Sequence, residues 1–165
     1  MSVEASVFTP AQPHSEPELR ATLAECGTQI RLLDSQGTPL KPVSYGPLAG
    51  RFIVVGWPMF DAQTTSIVDA AIATMDKSAI DQLGQAGKLG WCELVVGQFD
   101  YEEQWKKYPD EREEYEESIA PDKLVAIKVC RTRYTLRSGL RPSQCANLVG
   151  QLRKALKQVT NGVVE

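Results

Sequence analysis

The sequence predicts a single α+β domain: a mixed or antiparallel sheet of about four or five strands, helices packed mainly on one face, and an amphipathic helix near the C-terminus. Three observations predict it. The 165 residues are 42% hydrophobic and 24% charged, the size and composition of one globular core. Short apolar runs bounded by Gly and Pro alternate loosely with segments of helical period, and no internal repeat is visible. Residues 142–159 carry Cys145, Leu148, Val149, Leu152, Leu156 and Val159 as one uninterrupted apolar stripe at helical spacing.

Taken in order, residues 1–15 read as a Pro-rich N-terminal arm, with Pro10 and Pro13 among small polar residues, and residues 16–160 as the domain. Ser15 followed by Glu16-Pro17-Glu18 starts a helix, with Pro in the first turn and acids at the positive end of the dipole; Gly27 stops it. Residues 28–34 read as a strand and Ser35-Gln36-Gly37 as its turn. Pro39, Pro42, Gly46, Pro47 and Gly50 make the next stretch a loop. Residues 51–57, with Ile53-Val54-Val55, are the central strand. Asp61 or Thr64 caps a helix burying Ile67, Val68, Ala71 and Met75, and a shorter helix over 77–83 ends at Gly84. Residues 89–97 are a strand, 100–118 are helical with a break at Pro109, and 124–136 read as one long strand. Residues 161–165 form a short tail.

The chain offers little to catalysis. Its one histidine, His14, lies in the Pro-rich arm, away from any candidate nucleophile. Cys26, Cys92, Cys130 and Cys145 form no close pair, which argues for reduced thiols rather than a zinc site. Gly84-Gln85-Ala86-Gly87-Lys88 lacks the spacing and the hydroxyl of a Walker loop and reads as a helix-to-strand turn. Glu113 and Glu117 share a helix face but have no Glu-x-x-His partner. The expectation is therefore a non-enzyme with no catalytic residue, metal or cofactor. The first residues lack the basic and apolar regions of a secretory signal. Gly56 and Pro58 interrupt the apolar run over 52–60, well short of the ~20 residues a membrane helix needs. The expected location is the cytoplasm or an intracellular particle, with no membrane contact.

Charge is the most informative feature. The net charge of −3 hides a split: residues 1–122 hold 9 Lys and Arg against 20 Asp and Glu, whereas residues 123–164 hold 9 Lys and Arg and no acid. Two surfaces follow. Tyr101, Trp105, Tyr108 and Tyr115 recur at helical intervals amid nine carboxylates over 100–117. They suggest an acidic-aromatic docking face built on Tyr101, Glu102, Trp105, Tyr108, Glu113 and Glu117. A basic face is expected from Lys128, Arg131, Arg133, Arg137 and Arg141, presented by the strand and the turn after it. The apolar parity of that strand switches near Val129, which implies a bulge or a projecting ribbon. Arg153, Lys154 and Lys157 complement the C-terminal end of the last helix dipole. The split admits internal cancellation, assembly with an oppositely charged partner or a second copy, or nucleic-acid and phosphate binding. The leading expectation is a protein-interaction or assembly protein, such as a particle subunit or an antidote-like or chaperone-like binder. The alternative is a nucleic-acid-binding or phosphate-binding module using 128–141 and the 142–159 helix.

Overall fold

Alternating β-branched and aromatic residues build the sheet. The computed structural model describes residues 3–40, 47–138, 143–160 and 162–164. Its strands are β1 (Val3–Thr9), β2 (Thr28–Asp34), β3 (Gly50–Pro58), β4 (Gly90–Gln98), β5 (Thr132–Ser138) and the two-residue β6 (Val163–Val164). All pairs are antiparallel, in the order β2-β3-β4-β5-β1-β6. The helices are α1 (Glu16–Glu25), α2 (Ala62–Thr74), α3 (Lys77–Gln85), α4 (Tyr101–Lys106), α5 (Pro109–Ser118), α6 (Pro121–Lys128) and α7 (Ser143–Thr160).

The α+β class, the antiparallel sheet and the C-terminal amphipathic helix match the expectation, and helices cover both faces of the sheet. Strand parity explains why. On one face Val7, Ile30, Leu32, Val54, Leu94 and Tyr134 meet Leu19 and Leu23 of α1 and Leu148, Leu152 and Leu156 of α7. The opposite parity of β3 points Val55 and Trp57 at Val68 and Ala71 of α2 and Ile80 and Leu83 of α3. Phe8 of β1, on that same second face, packs with Tyr101, Ile127 and Cys130. The continuous apolar run Ile53-Val54-Val55 is the sequence mark of a strand buried on both sides.

Three expectations are corrected. Val163 and Val164, expected within a short C-terminal tail over 161–165, are β6, paired antiparallel with β1. Residues 3–9, expected as part of an arm, are β1, hydrogen-bonded between β5 and β6 with Val7 and Phe8 buried. The arm proper is short, and it too is tied down. The His14 backbone N–H donates to the Tyr134 hydroxyl at 2.9 Å, and the His14 carbonyl accepts from Leu48 N at 2.9 Å. The expected strand over 124–136 is α6 followed by β5. Pro121 and Asp122 open α6, and Leu124 and Ile127, three apart, turn inward while Val125 stays exposed. The parity switch near Val129 is thus a helix-to-strand junction. Three β-branched residues, Val125, Ile127 and Val129, imitate a strand because a helix of eight residues shows the 3.6-residue period barely twice.

In α2 the expected Val68 and Ala71 are buried, whereas Ile67 and Met75, also expected inside, are exposed, Met75 because it is the left-handed residue that ends the helix. Asp61 caps α2, its Oδ1 accepting from Thr64 N at 3.0 Å, and these Thr64 bonds hold its carboxyl below the usual range. Gly27 follows α1 with φ +86°, a conformation that favours glycine.

Helix α7 approaches the sheet closely at Gly56. A Cβ there would lie 2.5 Å from Leu148 Cδ1, so α7 seats a leucine directly on bare β3 backbone. Gly56→Ala is expected to lower unfolding free energy by about 1–3 kcal/mol through overpacking, and Leu148→Ala by about 2–5 kcal/mol through a cavity. The double variant should lose less than the sum, as read by urea unfolding. Additive losses would mean that the two residues do not share this contact.

Candidate functional site

The two faces expected from the sequence meet at the α4–α5–α6 layer and the adjoining end of the sheet. Asp100 caps α4, its Oδ1 accepting from Glu103 N at 3.1 Å. Pro109 takes the first position of α5, so 101–118 is two helices rather than one kinked helix. Tyr101, Trp105 and Tyr115 turn inward. Trp105 packs on Tyr115 with ring centroids 4.8 Å apart, and Tyr101 is buried beside Phe8 and Ile127. Tyr108 departs from this pattern: it sits at the break between the helices, 52% exposed.

Arg112 organises the polar side of this layer. Its Nη1 and Nη2 donate to the two oxygens of Glu102 at 2.9 and 3.1 Å, and its Nε donates to Glu116 Oε1 at 2.9 Å. The guanidinium also stacks over the Tyr101 ring at 5.3 Å. Glu116 Oε1 accepts the Tyr101 hydroxyl at 2.8 Å, and Lys128 Nζ lies 3.7 Å away and over the same ring. Bonding to Arg112 holds the Glu102 and Glu116 carboxyls below the usual range, whereas burial and the Glu116 charge push the Tyr101 phenol up. Internal neutralisation thus runs through Arg112 and Lys128. Glu113 and Glu117, with Asp110, Glu111 and Glu114, remain exposed and form no ion pair among the described residues.

The expected basic face is dispersed. Lys128 belongs to the last turn of α6, not to a strand. Arg133 and Arg137 lie on β5, which is paired on both sides and therefore does not project as a ribbon. Arg133 crosses the Phe8 ring at 5.4 Å and donates to Ser6 Oγ at 3.1 Å. Arg137 donates to Glu4 at 3.0 Å. Arg131, in the link before β5, is exposed and forms no ion pair among the described residues. Arg141 and the loop that carries it lie outside the described residues.

Arg131 opens onto the main concavity at this end of the sheet, a cleft of about 920 Å³. Its walls come from four separated stretches: Pro10, Gln12 and Pro13; Pro47–Ala49; the β4 end with α4 and Tyr108; and Arg131–Thr132. The structure brings Tyr108 and Arg131, one from each expected face, to this one cleft, and leaves Glu113 and Glu117 outside it. Gln12, Gln98, Gln104 and Lys107 also line it. The sequence carries no signal for them, since polar residues scattered over 120 positions converge only in the fold. For Arg112 a signal did exist, its four-residue spacing to Glu116.

Among the described residues no cluster of three His, Cys, Asp or Glu side chains could hold a metal ion, and no helix is long and apolar enough to cross a membrane. Comparison with protein-family models, with curated proteins and with solved structures finds no match to this chain.

Arg112→Gln is expected to lower the melting temperature most at neutral pH. The sign follows from the lowered carboxyls. The Glu102 and Glu116 contribution is complete above the unfolded carboxylate value of about 4.3 and is lost as pH falls through the lower folded values. The difference between variant and parent should therefore shrink from about pH 7 to about pH 3, and the lost stacking over Tyr101 is the part that does not titrate away. Thermal melts at both pH values decide it, and an equal difference at both would assign the effect to packing instead of charge.

Proposed function

We propose that this chain is a non-enzymatic protein-interaction or assembly module. It docks through the outward carboxylates of α5, with Tyr108 at the start of that helix as the exposed aromatic anchor. One observation carries the reading: the cluster of acids on α5 and the cluster of bases on α7, neither of them ion-paired among the described residues, lie on opposite sides of the sheet. The α5 layer covers the second face and presents Asp110, Glu111, Glu113, Glu114 and Glu117. The helix α7 covers the first face and presents exposed Arg153, Lys154 and Lys157. The sheet keeps these two fields apart, so neither quenches the other within one chain. Such a body suits a basic partner on one side, or a second copy stacked head-to-tail. Glu102, Trp105, Tyr101 and Tyr115 then act as the support that holds α5 in place, and Arg131 is, with Lys107, a cation at the neighbouring cleft that has no ion pair among the described residues.

The test is association read against salt. Sedimentation should show either mass rising with concentration at low salt or, for a strict monomer, retention on a poly-lysine matrix. Glu113→Gln with Glu117→Gln should weaken either behaviour more than the charge-matched control Glu25→Gln with Asp81→Asn, both exposed and away from α5. Equal effects of the two pairs would reduce the interaction to net charge and overturn docking through α5. Retention on heparin that disappears with Arg153→Gln and Lys157→Gln would favour nucleic acid instead.

A further inference from the structure

We propose that the cleft at the end of β4 and β5 is a ligand site for a small organic anion built on a planar ring. The volume of about 920 Å³ falls within the range of small-molecule sites, about 300–1,000 Å³. Its two lining cations, Arg131 and Lys107, have no ion-pair partner among the described residues. Arg131 is held by its backbone, its N–H donating to Thr9 O at 2.9 Å and its carbonyl accepting from Phe99 N at 2.7 Å. Its guanidinium is exposed and forms no ion pair among the described residues. Lys107, also in the lining, is likewise exposed and outside any ion pair among them. The two carboxylates of the lining are already engaged: Asp100 caps α4, and Glu103 pairs with Lys106 at 2.9 Å.

The shape adds the ring. Tyr108 presents an exposed aromatic body at the rim, and aromatic faces take planar ligands by offset or edge contact. Behind it, Phe99 is fixed edge-on against Phe8, centroids 4.8 Å apart, and gives the cleft a rigid apolar floor. Pro10, Pro13 and Pro47 stiffen the facing wall, which lowers the ordering cost of binding. A guanidinium and an ammonium recognise phosphate or carboxylate oxygens, and Gln12, Gln98 and Gln104 supply amide donors and acceptors around them. The shared chemistry is therefore a ring bearing an oxyanion. Tyr108 is common to this cleft and to docking through α5, but Glu113 and Glu117 do not line the cleft and Arg131 is no part of the docking face, so the Arg131 and the Glu113 with Glu117 variants tell the two readings apart.

Calorimetric titration of the full chain at low salt tests it with four probes: adenosine monophosphate, 4-hydroxybenzoate, adenosine and inorganic phosphate. At least one of the two ring anions should bind saturably, and at least about tenfold tighter than adenosine and inorganic phosphate. A preference for the nucleotide assigns a phosphate ligand, and a preference for the benzoate a carboxylate. Arg131→Gln and Tyr108→Ala should each weaken that binding at least about fivefold, with the melting temperature unchanged. Should Tyr108→Ala disturb the start of α5, Lys107→Gln supplies the second variant. No saturable binding of either ring anion below about 10 mM, or binding indifferent to Arg131→Gln, overturns the site.

Discussion

The sheet must be covered on both faces, and the rest of the structure depends on that constraint. Five long antiparallel strands carry apolar residues of both parities through β1 and β3. One layer, α1 with α7, satisfies the first face. The second face is covered by two separate units, α2–α3 over β3 and α4–α6 beside β1. Between those units runs a rung of the sheet that no apolar cluster claims: Glu93, Arg137 and Glu4 stand side by side on β4, β5 and β1. Cross-strand opposite charges suit such a half-solvated strip, with Arg51 joining Glu93 at 3.3 Å and Arg137 joining Glu4 at 3.0 Å. Two of the basic residues that look like a ligand surface in sequence are thus explained by the sheet itself: Arg137 by this rung, Arg133 by its stack over Phe8.

The same constraint decides what happens to the aromatic helix. A sheet edge bearing Phe8 needs a cover, and Tyr101, Trp105 and Tyr115 are the large side chains available to supply it. Turning the rings inward draws carboxylates toward the core's margin, where Glu102 and Glu116 would repel each other. Arg112 resolves this by bridging both, and Tyr101 and Lys128 complete the bonds to Glu116. Partly desolvated ion pairs of this kind contribute less to stability than to position. Here the position they set is that of α5 against α4, with the remaining acids directed outward. The charge split in the sequence therefore resolves, among the described residues, into neutralised pairs at the layer's inner margin, a cluster of unpaired acids on the outside of α5 and a cluster of unpaired bases on α7 over the other sheet face.

What the residues announced was local, and what they concealed was tertiary. The cap at Asp61, the positive-φ stop at Gly27, the both-sides-buried β3 and the apolar stripe of α7 are each set within a few residues, so they are legible in one dimension. β1 was hidden by its neighbours: Val3–Thr9 has strand-like alternation, but Pro10 and Pro13 immediately after it give the whole stretch the look of an arm. α6 was hidden by its composition, because β-branched Val125, Ile127 and Val129 favour the strand reading. The Pro121 start and the inward pair Leu124 and Ile127 override that preference once the edge near Phe8 needs covering. The acidic face was half legible. Its spacing held for Tyr101, Trp105 and Tyr115, which share the inward side, and failed at Tyr108, which the break between α4 and α5 leaves at the corner.

That corner explains why the cleft forms where it does. The strand ends at Thr9, Gln98 and Thr132 diverge into different connections, and two backbone bonds, Phe99 N to Arg131 O and Arg131 N to Thr9 O, with one side-chain bond, Thr132 Oγ1 to Ala11 O, hold them at fixed separation. The arm cannot fill the gap, because the His14 bond to Tyr134 pulls it over the first face. α4 cannot fill it either, because its aromatic side is committed to Phe8 and Ile127. What remains is a concavity whose walls are pinned by main-chain bonds and whose lining side chains are largely uncommitted. Among the arginines of the charge split, Arg112, Arg133 and Arg137 are each held by a partner side chain, whereas Arg131 is held only by its backbone. A cation fixed at its root and free at its tip bears little of the fold's own weight. Its removal should therefore separate recognition from stability, which removal of the other three does not.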